Sequence, residues 1–369
     1  MRIIVSVFSN LYTDQRVEKT CQTLVDNGYD VELIGNDWGG APDMQRRYPV
    51  TRIPLKSKTL KLAYPEFMFK LYKELKKRTD KNSVLYSNDL ETILPNFKLS
   101  KKLNIPLIFD SHEMFSEMPS VQGKASQKFW KWIEKNYFHK LENMITASDC
   151  YADWFVKEYH IKRPVVVRNL PRKQDVQQID SQSKKLILYQ GWLNYSRGID
   201  KAIIAMQYVD NAVLKIAGGG PMEAEFRAIA EDNHVLNKVE FLGRLHPADL
   251  RKITPTADVG LSIEENKGLS YYYSLPNKIS DYVQAKVPVV VSDFPELKNI
   301  AIGFGVGETI SSHDPKHLAE KINIVLNNGK AFYKDNLDRA AEELCWENEE
   351  LRIIDVVKNA IEKHKKDLN

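Results

Sequence analysis

The stretch Tyr273–Asp293, YSLPNKISDYVQAKVPVVVSD, reads as a tight polar turn, an amphipathic helix and then an apolar strand ending in Ser292 and Asp293. Ser274 or Asn277 is suited to cap the helix, and Ile279, Tyr282, Val283 and then Lys286 follow helical spacing. A helix N-terminus offers backbone N–H groups to an anion, and Lys278 adds a full charge beside them, so the turn predicts a phosphate seat. Asp281, one turn further in, is placed to accept from both hydroxyls of a diol. Diphosphate and ribose are the two groups this segment is suited to grip. A helix feeding a wholly apolar strand is also the repeating unit of a parallel sheet.

That unit recurs along the 369 residues. Apolar runs of strand length stand at Ile3–Phe8, Val31–Ile34, Val84–Tyr86, Pro106–Phe109, Met144–Thr146 and Val165–Val167. Helical spacing falls between them, as in Val17, Cys21, Leu24 and Val25. A polar stretch without period then breaks the alternation, and 171–185 reads as a linker. The pattern restarts at Leu186–Tyr189, Val213–Ala217, Val239–Leu242, Val259–Ile263 and Val287–Val291. Two consecutive doubly wound α/β domains are expected, over 1–170 and 186–344. From 345 to 369 a last helical pattern puts Trp346, Leu351, Ile354, Val357 and Ile361 on one side.

In such sheets ligands sit at the carboxyl ends of the strands. The residues just past those ends are Ser9, Asn10, Asn88, Asp89, Asp110 to Glu113, Arg168 and Asn169 in the first half. In the second half they are Gly191, Trp192, Gly218 to Gly220, Gly243, Arg244, Glu264, Ser292 and Asp293. Two such edges facing each other make a cleft for two substrates. His112 is suited there to bond a hydroxyl or carry a proton, against a plainer reading in which it packs beside the helix-start residues Ser111 and Glu113. Asp14 lies in a good helix cap ahead of Val17 and Leu24, and a ligand role is the lesser expectation. Gly218 to Gly220 either cradle a ligand or form an ordinary strand–helix turn, with Pro221 at the first helical position. Arg197, shortly after Gly191, is a candidate diphosphate clamp alongside Lys278. His313 and His317 straddle Pro315 and are expected at the surface. No histidine shows metal-ligand spacing, so no metal is predicted.

The composition, 43% hydrophobic and 28% charged, is that of a soluble globular chain. No apolar run approaches the roughly 20 residues of a membrane-spanning helix, and Met1–Phe8 reads as a core strand rather than a signal peptide. Cys21, Cys150 and Cys345 are isolated, which predicts neither disulfides nor a thiolate metal site and suits a cytoplasmic setting. The net charge of +4 is unevenly spread. Between Arg46 and Lys81 only Glu66, Glu74 and Asp80 oppose a dense run of Lys and Arg, including Lys56, Lys58, Lys61, Lys70 and Lys73. Large apolar residues such as Leu60, Leu62 and Phe69 interleave with them. The segment predicts a surface resting on an anionic membrane, an amphipathic helix packing Phe67, Leu71 and Leu75 on the core, or both.

Taken together, these residues resemble the retaining glycosyltransferases of the GT-B fold, the group numbered family four. TDQRVEK at 13–19, GYDVELIG at 28–35, DSHE at 110–113, YQG at 189–191 and Arg197 with Gly198 occur in that family's order. So do AGGGP at 217–221, FLG at 241–243 and LPNK at 275–278 before Pro288 and Val289, over nearly the whole chain. The resemblance implies two Rossmann-like domains facing a central cleft, with the C-terminal helix crossing back to the first. It implies a nucleotide-sugar donor on the second domain, held by Gly191, Trp192, Gly219, Gly220, Arg244, Ser274, Leu275, Pro276, Asn277 and Asp281. The acceptor, a glycan or lipid-linked sugar, would lie on the first, beside Asn10, Asp14, Asn88, Asp89 and Glu113. His112, Arg197 and Lys278 are then the expected catalytic set, with retention of configuration, no metal, no cofactor and no nucleic-acid partner. The chain departs from the family's pattern of two acids eight positions apart. Asp281 keeps the second acid one methylene shorter, while Tyr273 replaces the first, which in the family contacts the donor sugar. Trp192 stands where the family often has an Arg, leaving Arg197 at the usual Lys position. A sugar-nucleotide epimerase or hydrolase of the same fold, and a non-catalytic nucleotide-sugar-binding protein, are the rival expectations.

Overall fold

The structure is a computed structural model that describes residues 1–37, 44–176 and 184–368. The middle of the expected linker, 177–183, lies outside the described residues. The chain divides into two units, Met1–Arg168 together with Glu349 onward, and Asn169–Asn348.

The first unit is built on β1 (Arg2–Ser6), β2 (Asp30–Asn36), β3 (Val50–Ile53), β4 (Ser83–Asn88), β5 (Leu107–Ser111), β6 (Asn143–Thr146) and β7 (Val165–Val166). They pair in parallel in the order β3-β2-β1-β4-β5-β6-β7, with Ile3 level with Val31 on one side and Val84 on the other. Ile3, Ile4 and Val5 are fully buried in succession, which alternate-face burial would forbid and a sheet covered on both faces requires. The helix Leu60–Arg78 lays Phe67, Leu71 and Leu75 against Ile4, Ile34 and Leu85, so that part of the basic segment is an amphipathic helix packed on the core. Each such side chain contributes about 1.5–3 kcal/mol by leaving water.

The second unit contains β8 (Lys185–Gln190), β9 (Ala212–Ala217), β10 (Val239–Gly243), β11 (Val259–Ser262), β12 (Val289–Ser292) and β13 (Gly307–Ile310), all parallel, in the order β10-β9-β8-β11-β12-β13. The apolar pattern of the sequence does not mark β3 and β13. Both are four-residue edge strands, VTRI and GETI, whose outer side needs no apolar cover. The long helix Trp346–Leu368 buries Ile353, Ile354, Val357, Ala360 and Ile361. Leu351, expected on that stripe, is 62% exposed. At 3.6 residues per turn it lies about 140° from Trp346, off the line that runs through Ile353 and Val357. The same helix ties into the first unit through Glu350, which accepts from the Thr23 hydroxyl at 2.8 Å, and through buried Glu349, on which Arg168 closes.

In both sheets the strand order reverses beside the first strand, between β1 and β4 and between β8 and β11. Successive connections leave there on opposite faces and open a crevice at the carboxyl ends.

Candidate functional site

In the second unit the crevice lies where β8 ends at Gln190 and β11 at Ser262. The helix Asn277–Gln284 points its start toward it. Neither Ser274 nor Asn277 caps that helix: Pro276 is the cap residue, and no side chain bonds to the first turn. The Ser274 hydroxyl donates instead to the Tyr271 carbonyl at 2.8 Å, and Asn277 Oδ1 accepts from Asn169 Nδ2 at 3.1 Å. Proline before the first turn fixes the chain direction but supplies no side-chain acceptor to the first-turn N–H groups. Lys286 is not on the helix; it lies past the end with φ +59° and pairs with Asp338 at 2.9 Å.

Lys278 turns its ammonium inward. Nζ donates to Glu264 Oε1 at 2.7 Å and rests 4.3 Å from the centre of the Tyr189 ring. Glu264 is buried, and Arg197 Nη1 stands 4.0 Å from the same oxygen. Burial disfavours the charge on both Glu264 and Lys278, but each holds the other ionised: the carboxyl pKa is lowered and the ammonium pKa raised. The Arg197 guanidinium also lies 5.0 Å from the Tyr271 ring centre. Glu264 Oε2 accepts from Ser262 Oγ at 2.9 Å, and its backbone carbonyl accepts from Ser292 Oγ at 2.6 Å. His313 is partly buried, contrary to its expected surface position, with Nε2 3.1 Å from the Glu264 carbonyl. Asp281 accepts from Gln190 Nε2 at 3.0 Å, which turns its carboxylate toward the end of β8.

The glycine loops divide by role. A Cβ on Gly218 would stand 1.8 Å from the Gly191 carbonyl oxygen, and one on Gly220 would stand 2.2 Å from that of Leu193. Backbone packing therefore demands glycine at both. Gly219 meets only Arg244 Cβ, at an ordinary 3.7 Å, so its lack of a side chain leaves room beside the loop. Trp192 and Arg244 are exposed, and Leu275 and Pro276 are partly so.

In the first unit the crevice between β1 and β4 holds a charge network. Arg16 donates to Asp110 Oδ1 at 2.7 Å and to the Val167 carbonyl at 2.6 Å, all out of solvent. His112 Nδ1 lies 3.1 Å from Asp89 Oδ2, and Nε2 lies 3.1 Å from Asn88 Oδ1 and 3.6 Å from Asp110 Oδ2. Burial opposes a charge on His112, but Asp89 and Asp110 prevail and push its pKa up to about 10. That balance favours the imidazolium at neutral pH, with a proton on each ring nitrogen. Asp89 holds φ +60°, a strained conformation for a residue with a side chain, while its Oδ1 accepts from the His112 amide at 2.8 Å. Asp14 caps the helix Gln15–Asp26 by accepting from the Val17 amide, and its other oxygen accepts from Ser9 Oγ at 2.6 Å. Asn10 and Glu113 are exposed nearby in sequence. The structure thus brings Asn88, Asp89 and His112 together and leaves Asp14 as a cap.

The family described as Glycosyl transferases group 1 matches residues 171–343, and Glycosyltransferase Family 4 matches residues 14–169. The chain belongs to this glycosyltransferase family. An alpha-monoglucosyldiacylglycerol synthase of Streptococcus pneumoniae is 21% identical over 229 residues, 55% of this chain and 49% of that protein. An uncharacterized glycosyltransferase of Methanocaldococcus jannaschii is 29% identical over 187 residues, 48% of this chain and 46% of that one. The chain spans about half the length of the curated relatives it matches. Sucrose-phosphate synthase from Thermosynechococcus elongatus superposes with a TM-score of 0.78 at 16% identity, covering 98% of this chain and 100% of that one. The Anabaena protein HepE, solved with UDP-glucose, gives 0.74 at 13% identity, with 97% and 100% covered. At these identities the likeness establishes the GT-B fold.

Within this glycosyltransferase fold, several residues of the two crevices carry little or no mark in the sequence. Glu264 stands there only as a residue past a strand, although a Glu directly after an apolar run is a visible signal. Tyr86, which donates to Asp110 at 3.0 Å, has the pattern of a core strand residue. Glu91 gives no signal at all. It is buried, with Oε2 lacking a hydrogen-bond partner, and burial, then Asp89, raises its carboxyl pKa well above the ordinary range. Among the described residues, no three His, Cys, Asp or Glu side chains are grouped to hold a metal ion, and no helix is long and apolar enough to cross a membrane.

Proposed function

We propose that this chain transfers a sugar from a nucleotide-sugar to a hydroxyl acceptor, with the donor on the second unit and the acceptor on the first. The observation that carries this reading is the uncapped start of the helix Asn277–Gln284 beside two cations, Lys278 and Arg197, that share one carboxylate. Such a site has positive charge to spare for a diphosphate leaving group, and preformed cations stabilise charge as it develops without needing a metal. Asp281 takes the ribose diol, and Gly191, Gly219, Arg244, Leu275 and Pro276 line the donor. His112, as an imidazolium, donates to a sugar hydroxyl; the departing phosphate oxygen takes the acceptor's proton on the same face, which retains configuration.

A lipid-linked acceptor at an anionic membrane is the favoured partner. Much of the basic segment is neutralised within the fold: Arg46 pairs with Glu18, Arg47 with Asp26, Lys70 with Glu66, and Arg78 with Glu32 and Glu74. Lys58, Lys61 and Lys76 remain exposed beside the exposed Leu60, Leu62 and Phe69, and the neighbouring helix Ala125–Tyr137 exposes Phe129 and Trp132 between Lys128 and Lys135. Apolar rings and cations together suit a headgroup layer. The S. pneumoniae relative is by name a synthase of a glycolipid, which supports the same reading.

The test is a thermal-shift screen with UDP-, GDP- and ADP-sugars, followed by incubation of the stabilising donor with lipid acceptors in vesicles rich in phosphatidylglycerol. One donor should raise Tm by binding the folded state alone. Glycolipid of unchanged anomeric configuration should form and survive EDTA. Free sugar released at the same rate without acceptor would favour a hydrolase, and tight binding with no product would favour a binding protein.

A further inference from the structure

The second unit lacks charge at two positions, Trp192 and Tyr273, yet its crevice holds a buried carboxylate and a buried ammonium from elsewhere in the chain. Lys278 reaches under the loop that carries Trp192: its Nζ lies 3.7 Å from where a Cβ on Gly191 would stand. The Tyr189 hydroxyl donates to the Trp192 carbonyl at 3.3 Å, while the Tyr189 ring carries the Lys278 ammonium. Trp192 itself is 56% exposed. Glu264 comes from the end of β11 and is fixed at both ends, by Ser262 on its side chain and by Ser292 and His313 around its carbonyl.

Burying a carboxylate is costly unless partners meet it. Here two cations converge on one oxygen, Lys278 at 2.7 Å and Arg197 at 4.0 Å, at the point where the strand order reverses. These three groups together carry one net positive charge, with the Asp281 carboxylate held separately by Gln190. We propose that Glu264 is the positioning acid of this site, holding Lys278 and Arg197 at the spacing that the diphosphate of the donor requires, so that the Glu264–Lys278 pair supplies what Trp192 and Tyr273 do not. This inference rests on the nucleotide-sugar reading.

Glu264 acts through the cations, so removing its charge has a signature that lost binding does not. In Glu264→Gln the site carries two positive charges without a guide. Affinity for UDP, the calorimetric probe, should be unchanged or tighter, while kcat falls at least about tenfold with the stabilising donor. In a double-mutant cycle with Lys278→Gln, the loss in the double variant should fall short of the product of the two single losses, because Glu264 works in part through Lys278. The double variant removes both buried charges and serves where Glu264→Gln alone does not fold. A kcat within about threefold of wild type in Glu264→Gln would overturn the proposal, and so would strictly multiplicative losses in the cycle. Loss of UDP affinity in step with kcat would make Glu264 a mere pocket support and also overturn it. Wild-type protein that binds neither UDP, GDP nor ADP removes the nucleotide-sugar reading itself; in a wild type that binds and turns over normally, the same variants decide on Glu264 alone.

Discussion

The two crevices occupy the same place in the same kind of sheet, and their charge is arranged in opposite ways. In the first unit Arg16 and His112 face Asp89 and Asp110, two cations against two carboxylates, with Arg16 and Asp110 out of solvent and the Glu91 carboxyl pKa raised by burial and then by Asp89. In the second unit Arg197 and Lys278, with side chains 28% and 10% exposed, converge on Glu264 alone, while Asp281 is engaged by Gln190 at the end of β8. A balanced, closed network presents polar groups to a ligand without asking it for charge, which suits a neutral polyol. An unbalanced one is completed by an anion. Two unit charges about 4 Å apart interact by roughly 4 kcal/mol at an effective dielectric of 20, so one unmatched cation is enough to set a preference.

Breaking the balance in the first unit should have the largest effect. Asp110→Asn leaves Arg16 buried beside the Val167 carbonyl without its carboxylate, and stranding one member of a buried pair costs about 3–5 kcal/mol. Urea unfolding followed on the first unit should show a much lower midpoint. A midpoint near that of wild type would mean that Asp110 does not carry the charge of Arg16.

Removing a cation from the second unit should spare the fold and affect turnover. Arg197→Ala should lower kcat by roughly 10²–10³-fold, the usual loss when a group meeting transition-state charge is removed. KM should rise less, because that charge grows as the bond breaks. Steady-state kinetics with the stabilising donor decide it; a change in KM alone would make Arg197 a binding residue only.

How much of each crevice is legible in the sequence has a physical reason. Strand ends are marked by a change from apolar to polar residues, so Asn88, Asp89, His112 and Gly191 stand out by position, while Asp281 stands out by its place one turn into an amphipathic helix. Among the described residues the apolar runs likewise mark eleven of the thirteen strands, and β3 and β13, edge strands of mixed polarity, escape. What a linear pattern does not carry is which charges meet. Arg16 lies 94 residues from Asp110, and Glu264 lies 14 residues from Lys278 across a helix start. Both pairings depend on the sheet order. The cap of the helix Asn277–Gln284 is hidden for a related reason: Ser274 and Asn277 are good cap types, but Pro276 takes the position and their side chains find other partners.

The smallest effect, and the sharpest test of the contrast, is the titration of His112. A histidine without partners changes charge near pH 6.5, and burial alone would lower that further. Here Asp89 and Asp110 hold the proton to about pH 10. Because the folded value is the higher one, the contribution of His112 to stability is complete below about pH 6.5 and is lost as pH rises through about 10. The stability difference between wild type and His112→Gln should therefore be flat at acid pH and shrink steadily on the alkaline side. An imidazole proton resonance absent from His112→Gln should shift with a midpoint near about 10, and Asp89→Asn should bring that midpoint toward neutrality. If the midpoint in wild type lies instead at about 6 to 7, the ordinary histidine range, the network holds one cation against two carboxylates at neutral pH. The first crevice would then be as unbalanced as the second with the opposite sign, and His112 would be available as a base.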